Sequence, residues 1–423
     1  MNLTEKTPIG AIVAAIREAG LEGKALEGIL VAIQDEGVRR LCGERYARGN
    51  GTRPCARAGT AVRGVKTLAG AVSIPLVKVR DRATGRIFPP LGARVGFAPG
   101  RTYQDDVCLV GCELVTKMTY RDAVMEAKRF QPAFPSRHTI RRRLPEFAQD
   151  LDALAQETLG DGFDVVMADG TKVRSTAPRG HHAVNVILGK RGDETTLLRV
   201  CVGGSWEHAA RAVQERLAGA AVAVADGEPA IREAFRGLGR PVQQCGIHAA
   251  RNVGYAMWKD GAPREVRARV KRDLVRLLRV LRRSVSKHKK DQDFERLAWR
   301  VNTTRREIRA LAAELHKPGY HTAATFLDEN VDAIVLFARY VPEGLDVPWS
   351  TNLIERLMGE ISKRVKHKWM HWSDLGLDSL LTMLLTRLKN PPAYDAWWRR
   401  RSHEAKRPAV QIDMLRTLPR AEV

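Results

Sequence analysis

The sequence predicts an α/β core in which a mixed sheet with flanking helices is interrupted by an all-α insertion. A small N-terminal β-element plus helices, including a helix-turn-helix candidate, precedes that core. Three observations predict this layout. Five short apolar or β-prone runs fall between residues 163 and 247, first as a meander and then alternating with helical patterns. Residues 250–345 carry helical periodicity alone. Two β-prone runs upstream, Val62 to Val65 and Ala71 to Val79, are split by Gly70.

At roughly 150 residues per domain, a chain of 423 residues predicts about three domains. Lys and Arg number 71 against 48 Asp and Glu, a formal net charge of +23, which points to a polyanionic partner, nucleic acid before membrane. Hydrophobic residues at 44% and charged residues at 28% exclude wholesale disorder. No window approaches the ~18 apolar residues of a membrane span. Met1 to Lys6 lack a basic start leading into an apolar run, so no secretory signal is expected. Six cysteines are too sparse for a disulfide framework. The expected compartment is cytoplasmic, nucleoid-associated if the cell is prokaryotic.

The elements run in order along the chain. Residues 1–44 form a helical region with Ile12, Ile16, Leu26, Leu30 and Ile33 in register, broken by Gly20 and Gly23. Residues 45–100 are the small β-element, opened by the Gly- and Arg-rich stretch Arg48 to Arg53. Residues 101–155 are helical. Within them a tight break at Pro132 and Pro135, the cap residue Ser136 and the run Arg137, Arg141, Arg142, Arg143 suggest a helix-turn-helix whose arginines contact DNA. Solvated basic faces explain such a run equally simply. Residues 160–249 hold the first part of the core, with strands at 163–168, 183–188, 195–202, 220–225 and 242–247. The all-helical insertion covers 250–345, and 346–390 form the second part of the core, with a helix carrying Glu355. Residues 391–423 read as a peripheral basic tail.

Three carboxylates stand out. Asp169 and Asp226 each follow an apolar strand and precede a glycine, and adjacent strands would bring both to one sheet edge. Neighbouring carboxylates repel unless a divalent cation lies between them, and hard oxygen donors suit Mg²⁺ or Mn²⁺. Glu355 would complete a site for two ions that activate a nucleophilic oxygen and stabilise the leaving oxygen of a phosphodiester. Asp-Gly after a strand is also an ordinary turn signal.

The residues downstream of Asp226 narrow the choice. An apolar strand ending in Asp-Gly, then Gln243-x-Cys245-x-x-His248-x-x-Arg251-Asn252, then Thr351-Asn352-x-x-Glu355-Arg356, resembles the Mutator-like transposases and their bacterial insertion-sequence relatives. Arg48 to Gly51, Thr67-x-x-Gly70, Val72 to Pro75 and Phe88-Pro89 are similar to the region upstream in that family. The likeness is motif-rich from about 160 to 375 and looser before. It implies DDE enzymes with an RNase H-like catalytic core, in which Asp169, Asp226 and Glu355 are the catalytic, metal-binding triad. Cys245, His248, Arg251, Asn252, Asn352 and Arg356 would support the active site. The residues between Asp226 and Glu355 match the helical insertion that superfamily places before its Glu. Gly246-Ile247 replaces the aromatic and aliphatic pair often found there, and Leu357 to Glu360 departs from the Asn-Arg-Glu-like continuation of the bacterial relatives.

The function so implied is a DNA transposase that binds terminal inverted repeats and cleaves and transfers strands with two Mg²⁺ or Mn²⁺ ions. Its partners would be double-stranded transposon ends and target DNA, bound as a homodimer, with no membrane. A catalytically inactive DNA-binding relative would have lost a triad carboxylate, and a structure-selective RNase H-like nuclease would share the metal site without recognising ends. Lys363, Arg364, Lys366 and Lys368 are further DNA-contact candidates. Cys245 and His248 could be half a zinc site but lack partners nearby in sequence. Cys42, Cys55, Cys108 and Cys112 are expected to be buried thiols. Trp258, Trp299, Trp349, Trp369 and Trp372 are expected to anchor the core.

Overall fold

A computed structural model describes residues 19–44, 52–97, 100–177, 180–367 and 369–402. The chain divides into two compact units, Met1–Phe147 with Asp395–Val423, and Ala148–Tyr394. Ile12, Ile16, Arg48 and Lys368 lie outside the described residues.

In the first unit, α1 (Leu21–Cys42) packs on a hairpin of β1 (Cys55–Thr67) and β2 (Gly70–Asp81), with a short β3 (Ile87–Phe88) at its edge. Leu30, Val65, Val72, Ile74 and Leu91 form its core. Gly23 does not break α1 as expected. It sits buried inside the helix, where an added Cβ would lie 3.3 Å from the carbonyl oxygens of Ala69 and Ala71, so glycine is what lets helix and hairpin approach. Buried Gln34 extends the contact, donating to Pro75 O at 2.6 Å and accepting from Val77 N–H at 2.9 Å. The single turn α2 (Leu91–Arg94) leads to α3 (Asp105–Lys117), α4 (Tyr120–Phe130) and α5 (Arg137–Thr158). Thr119 caps α4 by accepting from Asp122 N–H. Residues 131–136 separate α4 from α5, longer than the tight break expected. Cys42, Cys55, Cys108 and Cys112 are buried thiols, as expected.

The second unit is built on a five-stranded mixed sheet of order β6-β5-β4-β7-β8. β4 (Val165–Arg174), β5 (His181–Arg191) and β6 (Glu194–Val202) form an antiparallel meander. After α6 (Trp206–Arg211), β7 (Val222–Ala225) pairs parallel to β4, and after α7 (Pro229–Gly237), β8 (Val242–Gln244) pairs parallel to β7. One face of the sheet, with Val166, Ala168, Ile187, Ala223 and Ala225, is covered by Trp206, Ala209 and Ala210 of α6 and Ile231 and Phe235 of α7. Ser205 caps α6 through His208 N–H, as its position in the sequence predicts.

β8 is shorter than expected, because Gly246 and Ile247 already belong to α8 (Gly246–Lys259). α9 (Arg264–Asp291), α10 (Phe294–His316) and α11 (His321–Val335) then complete the expected helical block. It docks on the sheet through buried Gln243, which donates to Ile334 O at 3.0 Å and accepts from Phe337 N–H at 2.6 Å. The chain returns as α12 (Asn352–Val365), packed on β4, and α13 (Asp374–Lys389), packed on β6.

The last described helix, α14 (Pro391–Arg401), corrects the expectation of a peripheral tail at its start, while residues 403–423 of that expected tail lie outside the described residues. Trp397 is fully buried and meets Phe147 edge-on, with ring centroids 6.3 Å apart, in the core of the first unit. Among the described residues no helix is long and apolar enough to cross a membrane.

Candidate active site

The pairing register brings the two aspartates together. Across the parallel β4–β7 ladder, Val165 faces Val222 and Met167 faces Val224. The ladder stops there, and two residues beyond its last pair come Asp169 and Asp226, near enough for the charge of Asp226 to act on Asp169. In the β7–β8 ladder Val224 faces Gln243 and Ala225 faces Gln244. Cys245 N–H donates to Ala225 O at 2.7 Å, carrying the register one step further and setting Cys245 beside Asp226. Asp226 and Cys245 are the residues just past the ends of β7 and β8, so both lie with Asp169 at one end of the parallel strands. Val166 and Ala168 point into the α6–α7 core, so the pleat turns Asp169 to the opposite face.

The two Asp-Gly pairs are not alike. Asp169 lies inside β4, not at its end, because β4 continues to Arg174 alongside β5 after its pairing with β7 has stopped. An added Cβ on Gly170 would lie 2.9 Å from Trp206 Cζ2 and 3.3 Å from Asn185 Oδ1, so this glycine serves close packing. Gly227 is also closely packed, an added Cβ lying 3.0 Å from Gln244 Cδ, and in addition has φ of 96°, in the range that favours glycine. Backbone N–H groups hold both carboxylates, Gly170 N donating to Asp169 Oδ1 at 2.8 Å and Glu228 N to Asp226 Oδ1 at 2.9 Å.

Glu355 enters from the first turn of α12. Thr351, one helical turn before it, donates its hydroxyl to Glu355 Oε1 at 2.6 Å and lies 3.3 Å from His248 Nδ1. His248 Nδ1 is 3.6 Å from Glu355 Oε1. Thr351 N–H donates to Cys245 Sγ at 3.4 Å, and Gly246 N–H to Trp349 O at 2.9 Å. Fully buried Thr351 therefore joins the start of α8 to the start of α12. Among the described residues, the ligand atoms of Cys245, His248 and Glu355 lie within 4.8 Å of one another, a set that no local spacing in the sequence announces.

The charges are crowded. Burial, then the neighbouring charge of Asp226, raises the Asp169 carboxyl to about 6, and Glu355 adds to the rise. Burial pushes the Cys245 thiol up, but hydrogen bonds with His248 and Thr351 outweigh it and leave the thiol below its ordinary value. The hydrogen bond with Cys245 raises His248, against its partial burial. The crowding of Asp169 by Asp226 suits a divalent cation, whereas the ligand atoms gathered within 4.8 Å of one another belong to Cys245, His248 and Glu355 and to neither aspartate.

The remaining candidates divide. Arg251, exposed on α8, lies close enough to His248 to disfavour its charged form. Asn252, Asn352 and Arg356 make no hydrogen bond to the three carboxylates, and Asn352 and Arg356 are exposed. Arg137, Arg141 and Arg142 are exposed on α5. Arg143 is not available to DNA: it is 3% exposed and ion-paired with Asp105 and, at 2.8 Å, with Glu146. Arg364 is likewise withdrawn, 6% exposed with its guanidinium carbon 5.6 Å from the Trp372 ring centroid. Lys363 is exposed and paired with Glu360, and Lys366 donates to Thr171 Oγ1 on β4.

The tryptophans also divide. Trp372 is buried, whereas Trp258, Trp299 and Trp369 are 55%, 59% and 83% exposed, which corrects the expectation that they anchor the core. Their exposure is a placement that apolar composition alone cannot foretell. Thr351 is the residue that sequence reasoning left out of the site. The signal for it was its i, i+4 spacing to Glu355, which stacks the two on one helix face.

No curated protein matches the chain significantly. The family described as "Transposase, Mutator family" matches residues 9–390, nearly the whole chain. With every described strand and every described helix but α14 inside that span, the chain belongs to the Mutator family of transposases.

Proposed function

We propose that this transposase cleaves and transfers DNA strands with Asp169, Asp226 and Glu355 as a DDE triad on an RNase H-like core. One observation supports the reading: Asp169 and Asp226 each lie two residues past the last pair of the parallel β4–β7 ladder, and Asp169 feels the charges of both Asp226 and Glu355. Two Mg²⁺ or Mn²⁺ ions held by the three carboxylates would polarise the phosphodiester and lower the pKa of the attacking water or 3′-hydroxyl.

The chain's own groups prepare that chemistry. Gly170 N–H and Glu228 N–H fix one oxygen of each aspartate and leave the other to face the substrate. Thr351 orients Glu355, while His248, favoured as the imidazolium by its contact with Cys245, holds a proton beside the site where phosphate charge gathers. Exposed Arg137, Arg141 and Arg142 on α5, together with Lys363 and Lys366, supply phosphate contacts. We read α4 and α5 as the helix pair of the DNA-binding region. Two transposon ends would be processed by a homodimer, and cellular DNA places the enzyme in the cytoplasm or nucleoid.

The test is strand cleavage and joining on the element's own ends by Asp169→Asn, Asp226→Asn and Glu355→Gln variants. Loss of both activities with end binding retained supports the triad, and joining by any one variant removes that residue from it. If phosphate neutralisation drives binding, log affinity falls with log salt at about −0.9 per phosphate contacted.

A further inference from the structure

Helix α8 begins at the candidate active site and leads out of it. Its first turn carries His248, and Arg251, Tyr255 and Trp258 come next at spacings of three, four and three, on the same face. At 1.5 Å per residue this stripe extends about 15 Å from His248, the reach of roughly four nucleotides at a 3.4 Å rise. Tyr255 and Trp258 stack with ring centroids 5.5 Å apart and planes 25° apart, yet they are 57% and 55% exposed. The Lys259 ammonium stands 5.0 Å from the Tyr255 centroid, so Tyr255 already has two ring contacts and Trp258 is the ring on offer.

Beside the stripe, α8 and α9 enclose an open cleft of about 570 Å³. Its lining contains Arg251, Arg264, Arg267 and Lys271 and no carboxylate. None of these four cations is ion-paired among the described residues, and the buried Arg267 Nε has no hydrogen-bond partner. The Lys271 stem crosses α8 at Gly254, where an added Cβ would come within 2.7 Å of Lys271 Cδ. Glycine there makes room for the Lys271 stem against α8.

A surface built only to hold duplex phosphates gains nothing from two exposed aromatic rings. An unpaired strand presents both of the things found here, base faces that stack and phosphates that need cations. We infer that the cleft between α8 and α9 binds an unpaired stretch of the strand acted on at the candidate active site, stacking a base on Trp258 and holding phosphates with Arg251, Arg264 and Lys271. The position of that strand relative to the chemistry rests on the triad reading above; its binding does not.

The test uses the full chain in EDTA, with a labelled single strand, a forked duplex and a blunt duplex of one arbitrary sequence. Trp258→Ala is expected to weaken binding of the single strand and the fork by about 5- to 150-fold. Blunt-duplex binding should change less than twofold, and Trp258→Phe should recover most of the loss. Trp299→Ala, which removes an equally exposed tryptophan on α10, should have no effect. Equal losses on fork and blunt duplex, no loss on the fork, or a change in self-association by sedimentation without a change in fork binding would each overturn the inference. Cleavage by Asp226→Asn, read separately in Mg²⁺, reports on the triad, so the two readings fail independently.

Discussion

Thr351 donates to Glu355 Oε1 at 2.6 Å from a position with no solvent exposure, at the residue that precedes α12. The bond fixes a carboxylate that is otherwise part-exposed on α12. Thr351→Val keeps the side-chain shape and removes the hydroxyl. The expected result is a 10- to 100-fold slower strand cleavage with little change in melting temperature, and Thr351→Ser should restore the rate. Single-turnover cleavage of an end substrate checks it.

Asp169 costs the metal-free protein stability. Its folded-state pKa of about 6 exceeds the unfolded value of 3.8, so the folded state binds more protons between those values and stability falls as pH rises through that window. Roughly two pKa units correspond to about 3 kcal/mol. Asp169→Asn should therefore melt higher than the parent in EDTA at pH 7. The gain should vanish below about pH 4, grow to about pH 6 and level off above it. Adding Mg²⁺ should stabilise the parent and leave the variant unmoved.

Cys245, His248 and Glu355 offer one sulfur, one nitrogen and one oxygen within 4.8 Å, a set suited to a borderline-soft ion. Zn²⁺ is expected to inhibit Mg²⁺-supported cleavage by drawing Glu355 away from the aspartates. Cys245→Ser should raise the inhibitory zinc concentration at least tenfold. Inhibition curves for the two proteins decide the matter.

Neighbouring arginines on α5 should behave in opposite ways. Arg143→Ala leaves Asp105 and Glu146 without their buried partner and is expected to cost on the order of 3 kcal/mol of stability, read by denaturant unfolding. Arg142→Ala, on the exposed face, should leave stability unchanged and lower the salt slope of DNA binding by about 0.9.

The strands of the second unit were legible because their apolar runs are short and bounded by turn residues, and the helical block because Val270, Leu274, Leu278 and Leu281 keep one face. The convergence of Asp169 and Asp226 could be anticipated since each follows an apolar run, but only the parallel register fixes which residue faces which. Position inside a strand, as at Asp169, depends on how long a neighbour continues to pair, which is a tertiary fact. Arg143 and Arg364 look like their exposed neighbours in sequence, and the carboxylates and ring that bury them come from elsewhere in the chain. Trp258 and Trp397 exchange the roles their surroundings suggest, one exposed within a helical block and one buried in what reads as a tail.

The meeting of Phe147 with Trp397 has a consequence for synthesis on the ribosome. All of residues 148–394 are translated between these two partners, so the second unit emerges whole while the first still lacks an aromatic ring from its interior. A nascent chain stopped before Trp397 would carry the three carboxylates without a finished N-terminal unit. Completion of that unit is thereby tied to prior translation of the whole second unit.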